Sequence, residues 1–369
     1  MLIKQDGSLW ATGVNVYGQL GDGSNTDKTS FEQVISSGVV DVAAGIAHTI
    51  ALKQDGSVWA TGLNRYGQLG IGSVTNINSF AIVSSYGRAV AAGGYQSMVL
   101  KQDGSVWAAG WNLYADISTG STRIFVPKFK KVFTNAKDIA AGDFHSMVLK
   151  EDGTVWAVGR NDHGQLGNGN IVYQYEFAQV MSNAKSIDAG SFHSVVLKQD
   201  GSVWITGSNK YGQMGSSWAT FRTKYGRAVS SQVIAVAAGH MHTLILKEDG
   251  SVWSTGHNTK GQLGDGTSLN QRTFRKVIFS HAEAMAAGLY YSMVLKDDGS
   301  VWATGENMYG QFGNGHMTST KSFVQVVSVD DSDSYKYVNR NLVSRAVFSA
   351  TRGAATGVCL RACVCMCIG

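Results

Sequence analysis

The sequence is poor in proline, in charge and in long apolar runs, and each shortage narrows what it can encode. Pro127 is the single proline among 369 residues, whereas glycine occurs 45 times, so turns are built from glycine, asparagine and aspartate. Charged residues make up 15% of the chain and hydrophobic residues 44%, which leaves little room for extended disorder. No run of about twenty apolar residues occurs, so we expect no membrane span.

Targeting signals are also missing. Met1 is followed within five residues by the Asp6-Gly7 turn, which leaves no room for the segments of a secretory signal. The sequence has no Asn-x-Ser/Thr acceptor for N-glycosylation. We therefore expect an intracellular protein, cytoplasmic or nuclear, unless further sequence precedes Met1.

What the sequence does contain is a repeat that ends in tryptophan. Seven near-copies of Leu-Lys-Gln-Asp-Gly-Ser-Val-Trp close at Trp10, Trp59, Trp107, Trp156, Trp204, Trp253 and Trp302. Neighbouring tryptophans are 48 or 49 residues apart, a period typical of propellers and solenoids. We expect these side chains to fill the space between repeats.

Each period predicts four short strands. Two apolar, partly β-branched runs flank an Asp-Gly pair, which supplies the positive φ angles of a tight hairpin turn. Two more runs, such as 31–35 and 40–44, follow in each copy. A sheet of four strands needs neighbours to bury its faces, and seven copies can close into a ring. The fold class is therefore all-β, a seven-bladed propeller of four-stranded antiparallel blades; a β-solenoid is the less favoured alternative.

A Gly-x-Asn element recurs in all seven copies, beginning with Gly13 and Asn15. Glycine permits backbone angles closed to other residues, and a short asparagine side chain can hydrogen-bond its own loop. A feature present in every blade indicates scaffold rather than an active site.

The pattern Asp-Gly-Ser-Val-Trp-Ala-Thr-Gly-x-Asn-x-Tyr-Gly-Gln-Leu-Gly, with Ala-Ala-Gly-x-x-His-Ser before it, resembles the regulator of chromosome condensation repeat family. The resemblance covers Met1 to about Val327. It implies a seven-bladed propeller around a central channel. It implies less about function, because the family includes nucleotide exchange factors, ubiquitin-ligase modules, an ultraviolet-B photoreceptor and a secreted β-lactamase inhibitor.

The repeats and the last forty residues differ in character. We assign residues 1–328 to the propeller and 329–369 to a divergent tail, expected to be disordered. The Ala-Ala-Gly strand has six copies, and the seventh, expected after Val327 to close the ring, is not recognisable, so incomplete closure is an open alternative. All four cysteines lie in this tail: Cys359, Cys363, Cys365 and Cys367. Their spacing does not match zinc knuckles, so a metal site, like lipid attachment, is a minor alternative.

No pattern predicts catalysis. His48, His145, His193 and His242 share one repeat position, which Gln96 and Tyr291 occupy in other copies. Replacement by glutamine and tyrosine favours a hydrogen-bonding role over a metal site. The Gly-Trp-Arg-His-Thr segments of the photoreceptor are replaced, for example by Gly142-Asp143-Phe144-His145-Ser146. No nucleophile with partners and no phosphate loop is present, so we expect no enzyme, no cofactor and no metal.

Departures from the repeat point to partner-binding residues. They bring aromatic and basic side chains into the third, fifth and sixth copies: Trp111, Tyr114, Lys128, Lys130, Lys131, Trp218, Arg222, Lys224, Arg227, Arg272, Arg275 and Lys276. With a net charge of +5, these residues suggest a positive rim for an acidic protein or for nucleic acid bound without sequence specificity. The alternative is that they are solvated loop ends.

Two functions are consistent with the sequence. One is a non-enzymatic scaffold that presents variable loops to a protein partner. The other is a guanine-nucleotide exchange factor for a small Ran-like GTPase. The family's exchange factors carry a wedge-like insertion, for which the 48-to-49-residue period leaves no room, so the scaffold is favoured.

Overall fold

Each sequence period folds into one four-stranded antiparallel sheet, a blade. The computed structural model describes residues 1–114, 117, 124–216 and 219–328, together with the backbone of 359–360. Seven blades form a ring, which confirms the predicted architecture. The described residues contain strands and turns and no helix, so none of them forms a helix able to cross a membrane.

The strands follow the chain in regular order. Blade 1 begins with β1 (Leu2–Ile3), β2 (Leu9–Gly13) and β3 (Lys28–Ile35). Blades 2 to 4 contain β4 (Val39–Ala44), β5 (His48–Lys53), β6 (Val58–Gly62), β7 (Ile77–Ser84), β8 (Gly87–Ala92), β9 (Gln96–Lys101), β10 (Val106–Trp111), β11 (Phe125–Phe133), β12 (Ala136–Ala141), β13 (His145–Lys150), β14 (Val155–Gly159) and β15 (Gln174–Met181). Blades 5 to 7 contain β16 (Ala184–Ala189), β17 (His193–Lys198), β18 (Val203–Ser208), β19 (Phe221–Val229), β20 (Val233–Ala238), β21 (His242–Lys247), β22 (Val252–Gly256), β23 (Gln271–Ile278), β24 (Ala282–Ala287), β25 (Tyr291–Lys296), β26 (Val301–Gly305) and β27 (Thr320–Val327).

The ring closes through a strand that the repeat pattern did not reveal. β28 (Cys359–Leu360) pairs with β1, so blade 1 also has four strands, in the order β28-β1-β2-β3. β28 contacts β24 of blade 7, and β1 contacts β4 of blade 2. Backbone pairing does not require the Ala-Ala-Gly sequence, which is why the pattern missed this strand. The expected disorder of the tail, and the metal and lipid alternatives for its cysteines, otherwise fall outside the described residues.

The strand order defines two faces of the ring. In every blade the first strand is innermost, beside the channel, and the fourth is outermost. Hairpins between the second and third strands lie on one face, here called the turn face. Loops between the first and second strands (inner loops) and between the third and fourth (outer loops) lie on the opposite face, here called the loop face.

The Asp-Gly turns join neighbouring blades on the turn face. In blade 3, the Asp103 carboxylate accepts from the backbone N–H of Ser105 at 2.9 Å, and the Ser105 hydroxyl accepts from Trp107 Nε1 at 2.9 Å. Gly104 has a φ of +77°, which glycine adopts without strain. Its carbonyl accepts from the N–H of Ala136 in blade 4, at 2.9 Å. One turn therefore orients the tryptophan of its own blade and forms a hydrogen bond to the first strand of the next blade.

The tryptophans pack between blades, as predicted. Trp107 lies against the apolar core of blade 2, and Trp156 against that of blade 3. Each ring is half-buried and carries a lysine ammonium over its face, as with Lys101 at 4.4 Å from the Trp107 centroid. Burial of one ring face and a cation–π contact on the other suit a residue at the edge of the core.

Candidate functional site: the aromatic belt of the loop face

The inner loops are locked by buried imidazoles. His145 Nε2 lies 2.8 Å from the Ser194 hydroxyl of the next blade, and that hydroxyl donates to the Gln165 carbonyl at 2.7 Å. Because the hydroxyl proton is used, the imidazole donates through Nε2. Gln96 makes the same connection to Ser146 at 3.1 Å. The other imidazole–hydroxyl pairs are His48–Ser97 at 2.9 Å, His193–Thr243 at 3.0 Å and His242–Ser292 at 3.0 Å.

Burial keeps these imidazoles neutral. It lowers the pKa of His48 and His145 to about 4, and that of His193 and His242 to about 3. The hydrogen-bonding role predicted for this position is confirmed. Within the described part of the chain, no group of three or more His, Cys, Asp or Glu side chains is arranged to hold a metal ion.

The residue just before each imidazole position lies in the inner loop, follows in sequence the residues that line the channel, and differs between blades. It is aromatic in four of them: Tyr95, Phe144, Phe192 and Tyr290. All four side chains are half-buried. The outer loops add further rings, which lie within or after their Gly-x-Asn elements or close the loop: Tyr66, Trp111, Tyr114, Tyr173, Tyr211 and His257. With His240 of an inner loop, these residues form what we call the aromatic belt.

Blades 2 and 3 form the first part of the belt. Tyr66 contacts Tyr95 and Trp111 edge-on, with ring centroids 5.1 and 4.6 Å apart. The Arg65 guanidinium lies 5.7 Å from the Tyr66 centroid. Burial, and then the neighbouring Tyr66, raise the pKa of the Tyr95 hydroxyl, so Tyr95 is a neutral hydrogen-bonding group at physiological pH.

Arg160 organises the second part. Its guanidinium lies 5.2 to 5.4 Å from the ring centroids of Tyr114, Phe144 and Phe192, which come from blades 3, 4 and 5. Arg160 Nε also donates to the Asp162 carboxylate at 2.9 Å. The cation is therefore held by both charge and aromatic faces, which fixes rings of three blades in one arrangement.

From Phe192 the belt continues into blades 6 and 7. Ring centroids are 6.3 Å apart for Phe192–His240, 5.9 Å for His240–Tyr290, 5.9 Å for Tyr290–His257 and 4.6 Å for His257–Tyr211. Burial, followed by electrostatic interaction with His240 and Lys260, lowers the pKa of His257. The belt thus consists of two groups of contacting rings, one of Tyr66, Tyr95 and Trp111 and the other running from Tyr114 to Tyr211.

The inner loops open onto a narrow channel, and His240 of the belt lines it. Small residues of the innermost strands line it, including Ala91, Ala140 and Ala237, together with the carboxylates of Asp138, Asp143 and Asp188. A polar channel within an apolar rim gives this face both a specificity element and contact area.

The predicted partner-binding residues fall in two places. Trp111 and Tyr114 lie in the aromatic belt, whereas Trp218 lies outside the described residues. The basic residues lie on the outermost strands β11, β19 and β23: Lys128, Lys130, Lys131, Arg222, Lys224, Arg227, Arg272, Arg275 and Lys276. Blade 4 separates the first group from the others, so these residues do not surround the mouth. Their role as a binding surface stays a prediction.

Sequence reasoning missed most of the belt. Phe144, Phe192 and Tyr290 adjoin the imidazole position. The sequence pattern indicates the imidazole position rather than its neighbour, because only the imidazole position repeats. The signal that identifies them is variation at a fixed repeat position: Ala47 and Met241 occupy the same place in blades 2 and 6. A position that varies between equivalent blades is free of the packing that every blade shares.

Two sequence profiles described as Regulator of chromosome condensation (RCC1) repeat match this chain. One matches residues 39–68, 136–165, 184–213, 233–262 and 283–311, and the other matches residues 6–52, 152–197 and 249–295. Because the matches together span more than half of the chain, it belongs to this repeat family. No curated protein matches the chain with significance.

Solved structures show the same fold. Yeast RCC1 (Prp20), solved with Kap60 bound, is 22% identical with a TM-score of 0.77, covering 88% of this chain and 85% of that chain. Prp20p from Saccharomyces cerevisiae, described with its binding to Gsp1p and histones, is 22% identical with a TM-score of 0.78, covering 88% and 86%. Human WBSCR16 is 19% identical with a TM-score of 0.78, covering 87% and 93%. At these identities the likeness concerns the fold alone.

Proposed function

We propose that this protein is a non-enzymatic interaction scaffold that binds a protein partner on its loop face. The observation that supports the proposal is the aromatic belt. Tyrosine, tryptophan and arginine are enriched among residues that dominate binding energy at protein interfaces. Six tyrosines and one tryptophan of the belt, and the Arg160 guanidinium that contacts its rings, are of these types. Rings held by mutual contacts and by Arg160 lose little further freedom on binding, which lowers the entropic cost of association.

Exposed apolar side chains extend the belt outward over blades 3 and 4. Leu113, Ile124, Ile171 and Val172 belong to outer loops of these blades and are between 45% and 62% exposed. Contiguous exposed apolar residues on a soluble domain mark interaction sites more often than chance. This sector is next to Tyr114, so a partner seated on the mouth has adjoining apolar surface to cover.

A comparison of two variants tests the proposal. The double variant Phe192→Ala/Tyr290→Ala removes belt rings, and Phe279→Ala removes a ring that is 76% exposed and follows the outermost strand at the turn face. Partners are captured by each protein, identified by mass spectrometry, and purified for affinity measurement. We expect the double variant to bind the purified partner at least about tenfold more weakly, with no change for Phe279→Ala. Equal affinity of the double variant and the wild type would refute the proposal.

Nucleotide exchange is the alternative function, and it has its own assay. The described Gsp1p binding of Prp20p motivates it, although the likeness to that protein concerns the fold alone. A scaffold leaves the release of labelled GDP from a Ran-like GTPase at its spontaneous rate. Saturable acceleration by the purified protein would replace the scaffold proposal with the exchange alternative.

A further inference from the structure

The channel is lined by acidic residues in a protein whose net charge is +5. Asp138, Asp143 and Asp188 line the channel, and within the described residues no lysine or arginine does so. Their arrangement departs from the repeat. Asp188 stands where the other described blades have Ala43, Ala91, Ala140, Ala237 and Ala286.

Two of these carboxylates have neighbours that define their surroundings. Asp188 accepts from the backbone N–H of Ala189 at 2.9 Å and of Ala238 at 2.8 Å. Asp143 lies at the mouth in the inner loop of blade 4, 3.9 Å from His240 Nε2 of blade 6. Burial lowers the pKa of His240, with Asp143 opposing the shift, so the imidazole is neutral near pH 7. It therefore does not neutralise Asp143 there.

The cations nearest the mouth are engaged elsewhere. Arg160 binds Asp162, and Lys260 Nζ lies 2.8 Å from Glu306. Arg65 and Lys210 belong to outer loops, and each lies over the tyrosine next to it in the sequence. The central part of the loop face thus combines aromatic rings with carboxylates.

Resting on the proposed function, we propose that the protein partner inserts a basic side chain, lysine or arginine, into the channel mouth beside Asp143. His240, which lies 3.9 Å from Asp143, contacts the rings of Phe192 and Tyr290. Aromatic rings therefore adjoin this carboxylate, and such rings attract a cation as it leaves water. Charge complementarity selects the partner, since an acidic segment would meet the carboxylates. This chemistry is opposite to the acidic partner predicted from the basic outer strands.

Short peptides test the charge preference without a known partner. Three fluorescein-labelled peptides of equal length alternate glycine with arginine, glutamine or glutamate, and fluorescence anisotropy measures their binding to the full chain. We expect the arginine peptide to bind at least about tenfold more tightly than the glutamate peptide, and to weaken as salt rises. Equal binding of the three peptides, tighter binding of the glutamate peptide, or no binding of the arginine peptide up to about 1 mM would each overturn the inference.

A matched pair of variants locates the site. Asp143→Asn removes one charge at the mouth and keeps the side-chain size, and Glu248→Gln removes one charge from an exposed position on the turn face. Asp143→Asn should lower the affinity for the arginine peptide about three- to tenfold, and Glu248→Gln should not. Equal effects of the two variants would overturn the inference.

The two proposals fail in distinguishable ways. If Phe192→Ala/Tyr290→Ala no longer binds the purified partner while the peptides show no charge preference, the loop face is the binding surface. The proposal that the partner inserts a basic side chain is then wrong. If the double variant keeps its partner, the proposed function itself is wrong.

Discussion

The turn face and the loop face of the same ring use the repeat in opposite ways. On the turn face every blade carries the same Asp-Gly element with the same hydrogen bonds, as in Asp103–Ser105 and Asp200–Ser202. On the loop face the inner loops keep a buried hydrogen-bonding residue, while the residue before it changes from alanine to tyrosine, phenylalanine or methionine. Positions that make the same interblade hydrogen bond in each blade repeat because each blade must meet its neighbour. The position before the imidazole makes no such shared bond and is free to vary.

The largest expected effect belongs to the repeated side. Trp156→Ala should lower the free energy of unfolding by about 3 kcal/mol, because a half-buried ring between blades is lost and a cavity remains. Phe192→Ala, on the variable side, should cost less than half as much. Urea unfolding measures both. A smaller loss of unfolding free energy for Trp156→Ala than for Phe192→Ala would contradict the conclusion that the repeated positions stabilise the fold more than the variable ones.

Buried imidazoles make stability depend on pH. The folded pKa of His145 is about 4, below the value of about 6.5 for an exposed histidine, so the unfolded state binds the proton more readily. Stability should fall as pH drops from about 6.5 towards 4, by up to about 1.4 kcal/mol per pH unit for each such histidine. His145→Gln, which places in blade 4 the residue that blade 3 has at Gln96, should keep the interblade bond and reduce that slope. Urea midpoints at pH 7 and pH 5 that shift equally in wild type and variant would refute this role.

A smaller effect, an increase in the free energy of unfolding, is expected at a strained position on the turn face. Tyr86 has a φ of +57° and is 69% exposed, whereas Gly38 occupies the equivalent place before the inner strand of blade 2. Tyr86→Gly should raise the free energy of unfolding by about 0.5–1 kcal/mol, because glycine adopts this angle without a steric penalty. Asn135→Gly is the control, since asparagine tolerates the angle, and should change little. Destabilisation by Tyr86→Gly would show that the tyrosine packs usefully.

The smallest effect on stability is expected from the outer strands. Reversing Arg222, Lys224 and Arg227 to glutamate should change the free energy of unfolding by less than about 0.5 kcal/mol for each residue, because these side chains lie at the outer edge of blade 5. Binding of the purified partner at low and physiological salt then compares the outer strands with the belt. An affinity and salt dependence equal to wild type would leave the belt as the binding surface, and a large loss would favour the outer strands.

Much of the scaffold was predictable because its determinants are local. The Asp-Gly turns, the interblade tryptophans and the hydrogen-bonding histidines each follow from a few residues repeated at fixed spacing. The candidate site was predicted only at Trp111 and Tyr114. Phe144, Phe192 and His240 were not predicted because no local pattern connects them. The basic residues were predicted as partner-binding residues, although they lie on outer strands.

The sequence by itself determined the number of blades, their strand order and the residues that join them, because those features depend on neighbours within one repeat or on the next repeat along the chain. Only the tertiary structure decided which variable residues share a surface. Asp143 and His240 are nearly a hundred residues apart in sequence, and they meet because the ring brings all inner loops around one axis. The closing strand β28 was decided in the same way, by backbone pairing with β1 rather than by a recognisable repeat.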